Sequence, residues 1–421
     1  MAPKGSKKSA SATSNKTLVL DNGAYALKAG LVVPSSDPSY DDCSVILNCI
    51  ARSARDKRTY IGSELEECKD FGELAFRWPV EKGFIVNWEA EKAIWEHEFI
   101  DTAAKDRLKC DPTETNILLT EKPNCPRELQ KNCDEIIFEQ FEFAAYCRRI
   151  GPVLNAYHPA ETSSMQVGPQ ECILIIDTSY SDTTVLPCYN GKLIQELSSL
   201  RHYNMMEETY LLNEIKETVS YVAPSRTHFS KDLERTWKGR QGDKRIVDTN
   251  IVVDYVLPDY EKSIHGFARP HDPTKSRLSR NLQPLHGPRE DLLPLGNERF
   301  AVPELIFNPS DIGIQEMGLS SAVMDALRAL PEALRVGLLA NIVVVGGNAL
   351  IDGLVPRLES ELRSIVPSEY ILNVARAEDP VRHTWLGGAR LASQPHLLKE
   401  VLITKAEYDE KGSGWLAKIF S

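Results

Sequence analysis

No stretch of this sequence approaches the roughly 18 consecutive apolar residues that a membrane-crossing helix requires, so nothing in it predicts a span. No Cys-x-x-Cys pair occurs either. The nine cysteines all fall between Cys43 and Cys188, with Cys43 to Cys49 the closest spacing, and the nine histidines are scattered. That pattern argues against zinc. Excess positive charge is also absent. The formal net charge of −11 excludes a chain whose whole surface is a nucleic-acid footprint, though not a local basic patch. No short-period repeat occurs. The opening MAPKGSKKSASATSNK holds no apolar segment of the kind a secretory signal needs, so reduced thiols in the cytosol or nucleus are the expectation. Cys172, inside an apolar run, is expected to be core rather than reactive.

What is present is length and two unusual segments. At 421 residues the chain is too long for one small core and predicts two lobes. Residues 18–30 read LVLDNGAYALKAG and residues 173–186 read ILIIDTSYSDTTVL. In each, an apolar run leads to an Asp, a tight polar turn and a second apolar run, which is a strand, a turn and a strand with an acid at the tip. Two such hairpins predict similar half-domains closing on a shared ligand. A metal-phosphate group suits the gap, because each Asp can hold a hydrated Mg²⁺ and turn N–H groups can cradle phosphate oxygens.

Elsewhere the pattern predicts a helix over 89–99, a buried strand at 116–120, an amphipathic helix over 135–145 and a loop at 158–170. A helix is expected over 205–222, a surface insertion at 268–295, a helix at 323–330 and a buried strand at 341–349 that ends in Gly346-Gly347 before a helix at 353–365. Residues 381–392 predict a Gly387-Gly388 turn entering a last helix. Residues 34–76 are polar and mixed and suggest a small, loosely packed lobe, while Trp78, Trp88 and Trp95 are expected to anchor the first lobe's core. His97 is expected to be a surface or capping residue.

Five of these pieces, in order and spacing, resemble the actin family: Lys28-Ala29-Gly30 closing the first hairpin, the 78–88 segment WPVEKGFIVNW, Thr120-Glu121-Lys122-Pro123, Ile342 to Asn348, and Trp385-Leu386-Gly387-Gly388. The resemblance spans residues 17–400. It implies the α/β fold of the actin, hexokinase and sugar-kinase superfamily: two lobes, four subdomains and a central nucleotide cleft. On that pattern 1–16 is a disordered basic tail, and 17–33, 77–156 and 384–421 make the first lobe. Residues 34–76 make a small outer lobe with a shortened loop, 157–192 and 300–383 the second lobe, and 193–299 its outer lobe, flexible at 268–295.

Residue by residue, the resemblance implies nucleotide contacts at Asp21, Asn22, Gly23 and Lys28 in the first turn and at Asp177 and Thr178 in the second. Lys216 and Glu217 would flank adenine and ribose, and Gly346 and Gly347 would let backbone pack against adenosine. Asp21 and Asp177 would reach a metal only through a Mg-nucleotide. The departures are as informative. Ala24 stands where the family has serine, Tyr25 where it has glycine, and Ser179, Tyr180 and Ser181 where it has Gly-Asp-Gly. Thr184 replaces a histidine near the attacking water, Gly151 the water-orienting glutamine, and Val381 or Arg382 falls where a lysine meets the base. No group for positioning water or stabilising the transferred phosphoryl is left in these loops. Two readings stand: ATP or ADP with Mg held as a structural ligand without turnover, or a cleft without nucleotide in which Asp21 and Asp177 cap their hairpins.

Segments 253–259 and 298–318 resemble a nuclear branch of the family whose members are structural subunits of SWR-type chromatin remodellers, which exchange a variant H2A histone into nucleosomes. The implied partners are a remodeller ATPase and a small associated subunit, with nucleosome, histones or DNA as further contacts, no membrane and no filament. The basic, partly aromatic stretch Arg226, Lys231, Arg235, Trp237, Lys238, Arg240, Lys244 and Arg245 suits DNA or an acidic partner, or is a solvated insertion, since Asp232, Glu234 and Asp243 are interspersed. The implied location is the nucleus, with a cytoplasmic pool. Competing expectations are an actin-like protein with its own slow ATPase, a filament-forming actin, and a histone or nucleosome chaperone.

Overall fold

The segment Lys16–Asn22 places three consecutive apolar residues, Leu18, Val19 and Leu20, in full burial, as a strand covered on both faces requires. The computed structural model describes residues 16–55, 57–69, 71, 74–101, 108–157, 172–189, 192–193, 197–200, 209–236, 250–258, 263–272 and 292–420. Lys16–Asn22 turns back antiparallel onto Ala26–Val32, and on its other side runs parallel to Thr115–Glu121. Ala145–Ile150 continues the parallel set, and Ser44–Leu47 and Ile403–Thr404 form the edges of this six-stranded sheet.

The second sheet repeats the plan. Cys172–Thr178 pairs antiparallel with Asp182–Tyr189 and parallel with Ile342–Val345, which in turn pairs with Val374–Arg376. Asp21 and Asp177 each occupy the sixth position of a seven-residue strand, just before their turns. Each sheet has its own core. Trp95, Phe99, Phe138 and Tyr146 fill the first, and Leu174, Ile176, Val344 and Leu358 the second. The chain is thus a two-lobed α/β fold.

Several expectations shift. Residues 34–76 do not make one loose lobe: Ser44–Leu47 joins the first lobe's sheet, and Cys49, Ala51, Tyr60, Leu65, Cys68 and Phe71 form a packed cluster around the three strands Ile50–Ser53, Thr59–Ile61 and Leu74–Arg77. Trp78 belongs to that cluster rather than to the first lobe's core, whereas Trp95 is central there and Trp88 meets it edge-on at 5.8 Å. The helix placed over 135–145 lies earlier, at Arg127–Glu135, and a wide turn at Ile136–Gln140 extends it. Glu142, with a φ of 60°, ends the run before the strand at Ala145. The helix expected over 205–222 covers Thr209–Val219 among the described residues.

The ends of the 268–295 insertion are ordered strands. Phe267–Pro270 and Leu292–Leu295 flank Val253–Val256 in a three-stranded sheet. Residues 1–15, 158–171 and 273–291 lie outside the described residues, and with them most of the tail, the 158–170 loop and the middle of the insertion. His97 is no surface residue. Its side chain is 14% exposed, with Nδ1 3.1 Å from Glu98 and Nε2 3.6 Å from Glu64.

Gly387 and Gly388 sit inside the helix His383–Ala392 instead of forming a turn, and three more helices follow it. The reason is a close crossing. A Cβ on Gly387 would lie 2.0 Å from the Leu154 carbonyl oxygen, and Trp385 donates its indole N–H to the Val19 carbonyl at 3.1 Å. Alanine gains about 1 kcal/mol of helix propensity over glycine. Here that gain is smaller than the cost of pushing a helix off packed backbone, which is of the order of 1–3 kcal/mol or more. Gly387→Ala is therefore expected to lower stability by roughly 1–2 kcal/mol, seen as an earlier urea midpoint; an unchanged or later midpoint would contradict the close crossing.

Candidate functional site: the cleft between two hairpin turns

Both turns sit at the carboxyl ends of parallel-paired strands, where open α/β sheets place their ligand crevices. Between them lies a cavity of about 580 Å³. Asp21, Asn22, Gly23 and Lys28 line it from the first hairpin, Asp177 from the second, Lys216 and Glu217 from the helix Thr209–Val219, and Gly346 and Gly347 from the segment after Ile342–Val345. Thr178 is the exception. Fully buried, it receives the Thr183 hydroxyl at 3.2 Å and faces the Asn348 amide at 3.4 Å, so its side chain serves the second lobe's interior.

The first turn is tied down on all sides. The Asp21 carboxylate accepts the Thr120 hydroxyl at 2.8 Å and pairs with Lys28 at 3.3 Å. The Asn22 N–H donates to Thr120 at 3.0 Å, and the Asn48 amide donates to the Gly23 carbonyl at 3.0 Å. A Cβ on Gly23 would stand 2.5 Å from the Ala26 carbonyl oxygen, so this turn needs glycine. In the second turn Ser179 donates its hydroxyl to Asp177. Part of Asp177 faces the cavity, yet protein surrounds it, and burial pushes its carboxyl up to about 6. Gly346, at a φ of 91°, lets the Gly-Gly segment touch this turn, and Asn348 donates to the Ser179 carbonyl at 2.9 Å.

Two inter-lobe contacts were not legible in advance. Lys122 and Asp182 meet at 3.0 Å, with side chains 9% and 8% exposed. Tyr25 and Tyr180, one from each turn, stack at 5.2 Å between ring centres. Thr184 gives its hydroxyl to Asp182 at 2.9 Å, and Gly151 presents no side chain. Val381 lines the cavity; Arg382 lies 3.6 Å from Asp379. Among the described residues no group of three or more His, Cys, Asp and Glu could hold a metal.

The actin family model matches residues 12–200 and 196–421. The chain belongs to the actin family. It is 46% identical to actin-related protein 6 of Neurospora crassa, over 99% of this chain and 97% of that one. It is 43% identical to the actin-like protein arp6 of Aspergillus fumigatus, over 96% and 95%, and 33% identical to actin-related protein 6 of Drosophila melanogaster, over 94% and 98%.

Actin-fold proteins bind nucleotide, and the two ends of this cleft differ in how they suit one. At the adenosine end, the buried Asn213 amide has no hydrogen-bond partner among the described residues, and a Cβ on Gly347 would meet open space. Burial lowers Lys216 below its ordinary value and raises Glu217 above its own. A polar ring with donors and acceptors fits there. The phosphate end does not suit a metal-bound triphosphate: two phenol rings stand between the turns, and Asp21, Lys28, Asp177 and Asp182 already have partners.

Behind the first turn lies a group that sequence reasoning missed. Glu91 is fully buried, accepts the Trp95 indole N–H at 3.0 Å and the Asn48 amide at 3.4 Å, and among the described residues faces no cation. Burial raises its carboxyl to about 7, with those hydrogen bonds pulling the other way. A raised carboxyl favours folding fully below its unfolded value of about 4.5, and that contribution is lost as pH rises through about 7. Glu91→Gln keeps the shape without the charge. It is expected to match wild type near pH 4.5 and to be more stable at pH 8 by up to about 3 kcal/mol. Urea midpoints at the two pH values check this, and equal midpoints at pH 8 would remove the buried charge from the account.

Proposed function

We propose that this chain is a non-catalytic, structural member of the actin family, a subunit of a nuclear SWR-type chromatin-remodelling assembly that supports exchange of a variant H2A histone into nucleosomes. Energy for remodelling comes from a partner ATPase, and a small associated subunit docks beside it. The observation that carries the non-catalytic part is the filling of the phosphate end by Tyr25 and Tyr180, with Lys122 and Asp182 neutralising each other beside them. Thr184 and Gly151, which stand where the family orients water, offer one hydroxyl already bound to Asp182 and no side chain at all. Phosphoryl transfer depends on positioning and charge stabilisation, and neither has a free group here. Any ATP or ADP is a structural ligand held from its adenosine end.

Support for the assembly role comes from similarity to proteins named actin-related protein 6 over nearly the whole chain, together with the 253–259 and 298–318 segments. Val302, Ile312, Ile314 and Met317, all within the second segment, have exposed apolar side chains, and exposed apolar surface suits a protein partner. The basic stretch is a weaker candidate for DNA than its composition suggests. Arg226 is bound at 2.6 and 2.7 Å by Asp311, and Arg235 lies 3.3 Å from Asp232. Trp237, Lys238, Arg240, Lys244 and Arg245 lie outside the described residues.

Tagged full-length chain, purified from nuclear extract at moderate salt, is expected to bring a large Snf2-type ATPase and histone-exchange subunits in stoichiometric amounts by mass spectrometry. Recovery alone or as polymer would sink the assembly role. The same preparation freed of its ATPase should show no ATP turnover above background, and turnover abolished by Asp21→Ala would reinstate the enzyme reading.

A further inference from the structure

Six aromatic rings form a continuous array that starts at the two hairpin turns lining the cleft and runs into the small-lobe cluster. Tyr180 stacks on Tyr25 at 5.2 Å with planes 27° apart, and Tyr25 on Trp78 at 5.8 Å and 22°. Trp78 then meets Phe76 at 5.8 Å and 16°, Phe76 meets Tyr210 at 6.4 Å and 7°, and Tyr210 meets Phe71 at 4.4 Å and 6°. Tyr180 belongs to the second lobe's hairpin and Tyr25 to the first lobe's. Trp78, Phe76 and Phe71 belong to the small-lobe cluster, and Tyr210 reaches in from the helix Thr209–Val219. The array therefore crosses between the lobes twice, where Tyr25 meets Tyr180 and where Phe71 and Phe76 meet Tyr210, and the first of these crossings is the one that joins the two hairpin turns.

Offset-stacked rings attract beyond the area they bury, and neutral rings are not screened by salt. Both conditions hold here. Burial, followed by the nearby Glu217 carboxylate, raises the Tyr25 phenol well above its ordinary value, so it stays uncharged at working pH. The Lys122 and Asp182 pair lies across the same gap, with little solvent exposure.

We propose that the stacked Tyr25 and Tyr180, seconded by Lys122 and Asp182, join the two lobes in place of a metal-bound triphosphate. The cleft is thereby held closed without nucleotide, and a divalent metal with its phosphates is excluded from between the turns. The proposal deepens the non-catalytic reading and rests on it, but its test measures closure rather than turnover or partners, so either can fail alone.

The test uses the full-length chain and compares wild type, Tyr180→Ala and Tyr180→Phe. Tyr180 is 40% exposed, so its truncation spares the core. Melting temperature is read in excess ATP with EDTA and in excess ATP with Mg²⁺, so that only the metal differs, and the radius of gyration by solution scattering. Wild type is expected to melt at the same temperature in both buffers. Tyr180→Ala should melt about 2 °C lower and be more expanded, and Tyr180→Phe, which keeps the ring, should behave as wild type. A wild-type melting temperature that Mg²⁺ raises in the presence of ATP overturns the proposal, as does a Tyr180→Ala chain with unchanged dimensions and melting.

Discussion

Each lobe hangs on one long-range parallel pairing. Lys16–Asn22 beside Thr115–Glu121, and Cys172–Thr178 beside Ile342–Val345, fix the direction of the first strand in each hairpin. Once that direction is set, the two turns must emerge at the carboxyl ends of their sheets and face a common crevice. The cores, the Gly-Gly segment and the outer lobes are arranged around that requirement. Gly346 in its left-handed conformation, against the Thr178 carbonyl, is the point where the second pairing reaches the turn.

The crevice so formed is chemically uneven. At one end every charged group is answered from within the protein: Asp21 by Lys28 and Thr120, Asp177 by Ser179, Asp182 by Lys122 and Thr184. At the other, the buried Asn213 amide beside Lys216 and Glu217 has no partner among the described residues. A ligand site needs unmet polar groups, because desolvating groups that are already paired costs more than new contacts return. That contrast sets the two ends of this cleft apart in what each could offer a ligand.

Much of this was legible from local pattern. The two hairpins, the buried strand at Ile342–Val345 and the helix at Leu354–Ile365 announce themselves as continuous apolar runs or helical periodicity next to glycine. The misses have physical reasons. Gly387-Gly388 reads as a turn, yet the glycines answer to a crossing with Leu154, more than two hundred residues away. Phe267–Pro270 and Leu292–Leu295 are short outer strands whose polar and proline content hides them until Val253–Val256 pairs with both. Tyr25 and Tyr180 were visible as replaced glycine and acid, but their contact was not, since nothing local relates positions in different lobes. The side chain of Thr178 does not line the crevice, because strand alternation turns it away while its neighbour Asp177 faces it.

The first sheet draws its edge strand Ile403–Thr404 from near the far end of the chain, and the helix carrying Trp385 packs its ring against Gly30 and Val19. A lobe that contains Lys16–Asn22 is therefore finished only by helices that follow the whole second lobe in sequence. On the ribosome, Lys16–Asn22 and Thr115–Glu121 can pair early, but the groove that receives Trp385 stays uncovered while the entire second lobe is synthesised. Contacts this distant in sequence are slow to form and leave apolar surface waiting. Synthesis of this chain thus imposes an interval of half-built exposure, in which the first lobe's apolar groove stays open until the helix carrying Trp385 arrives.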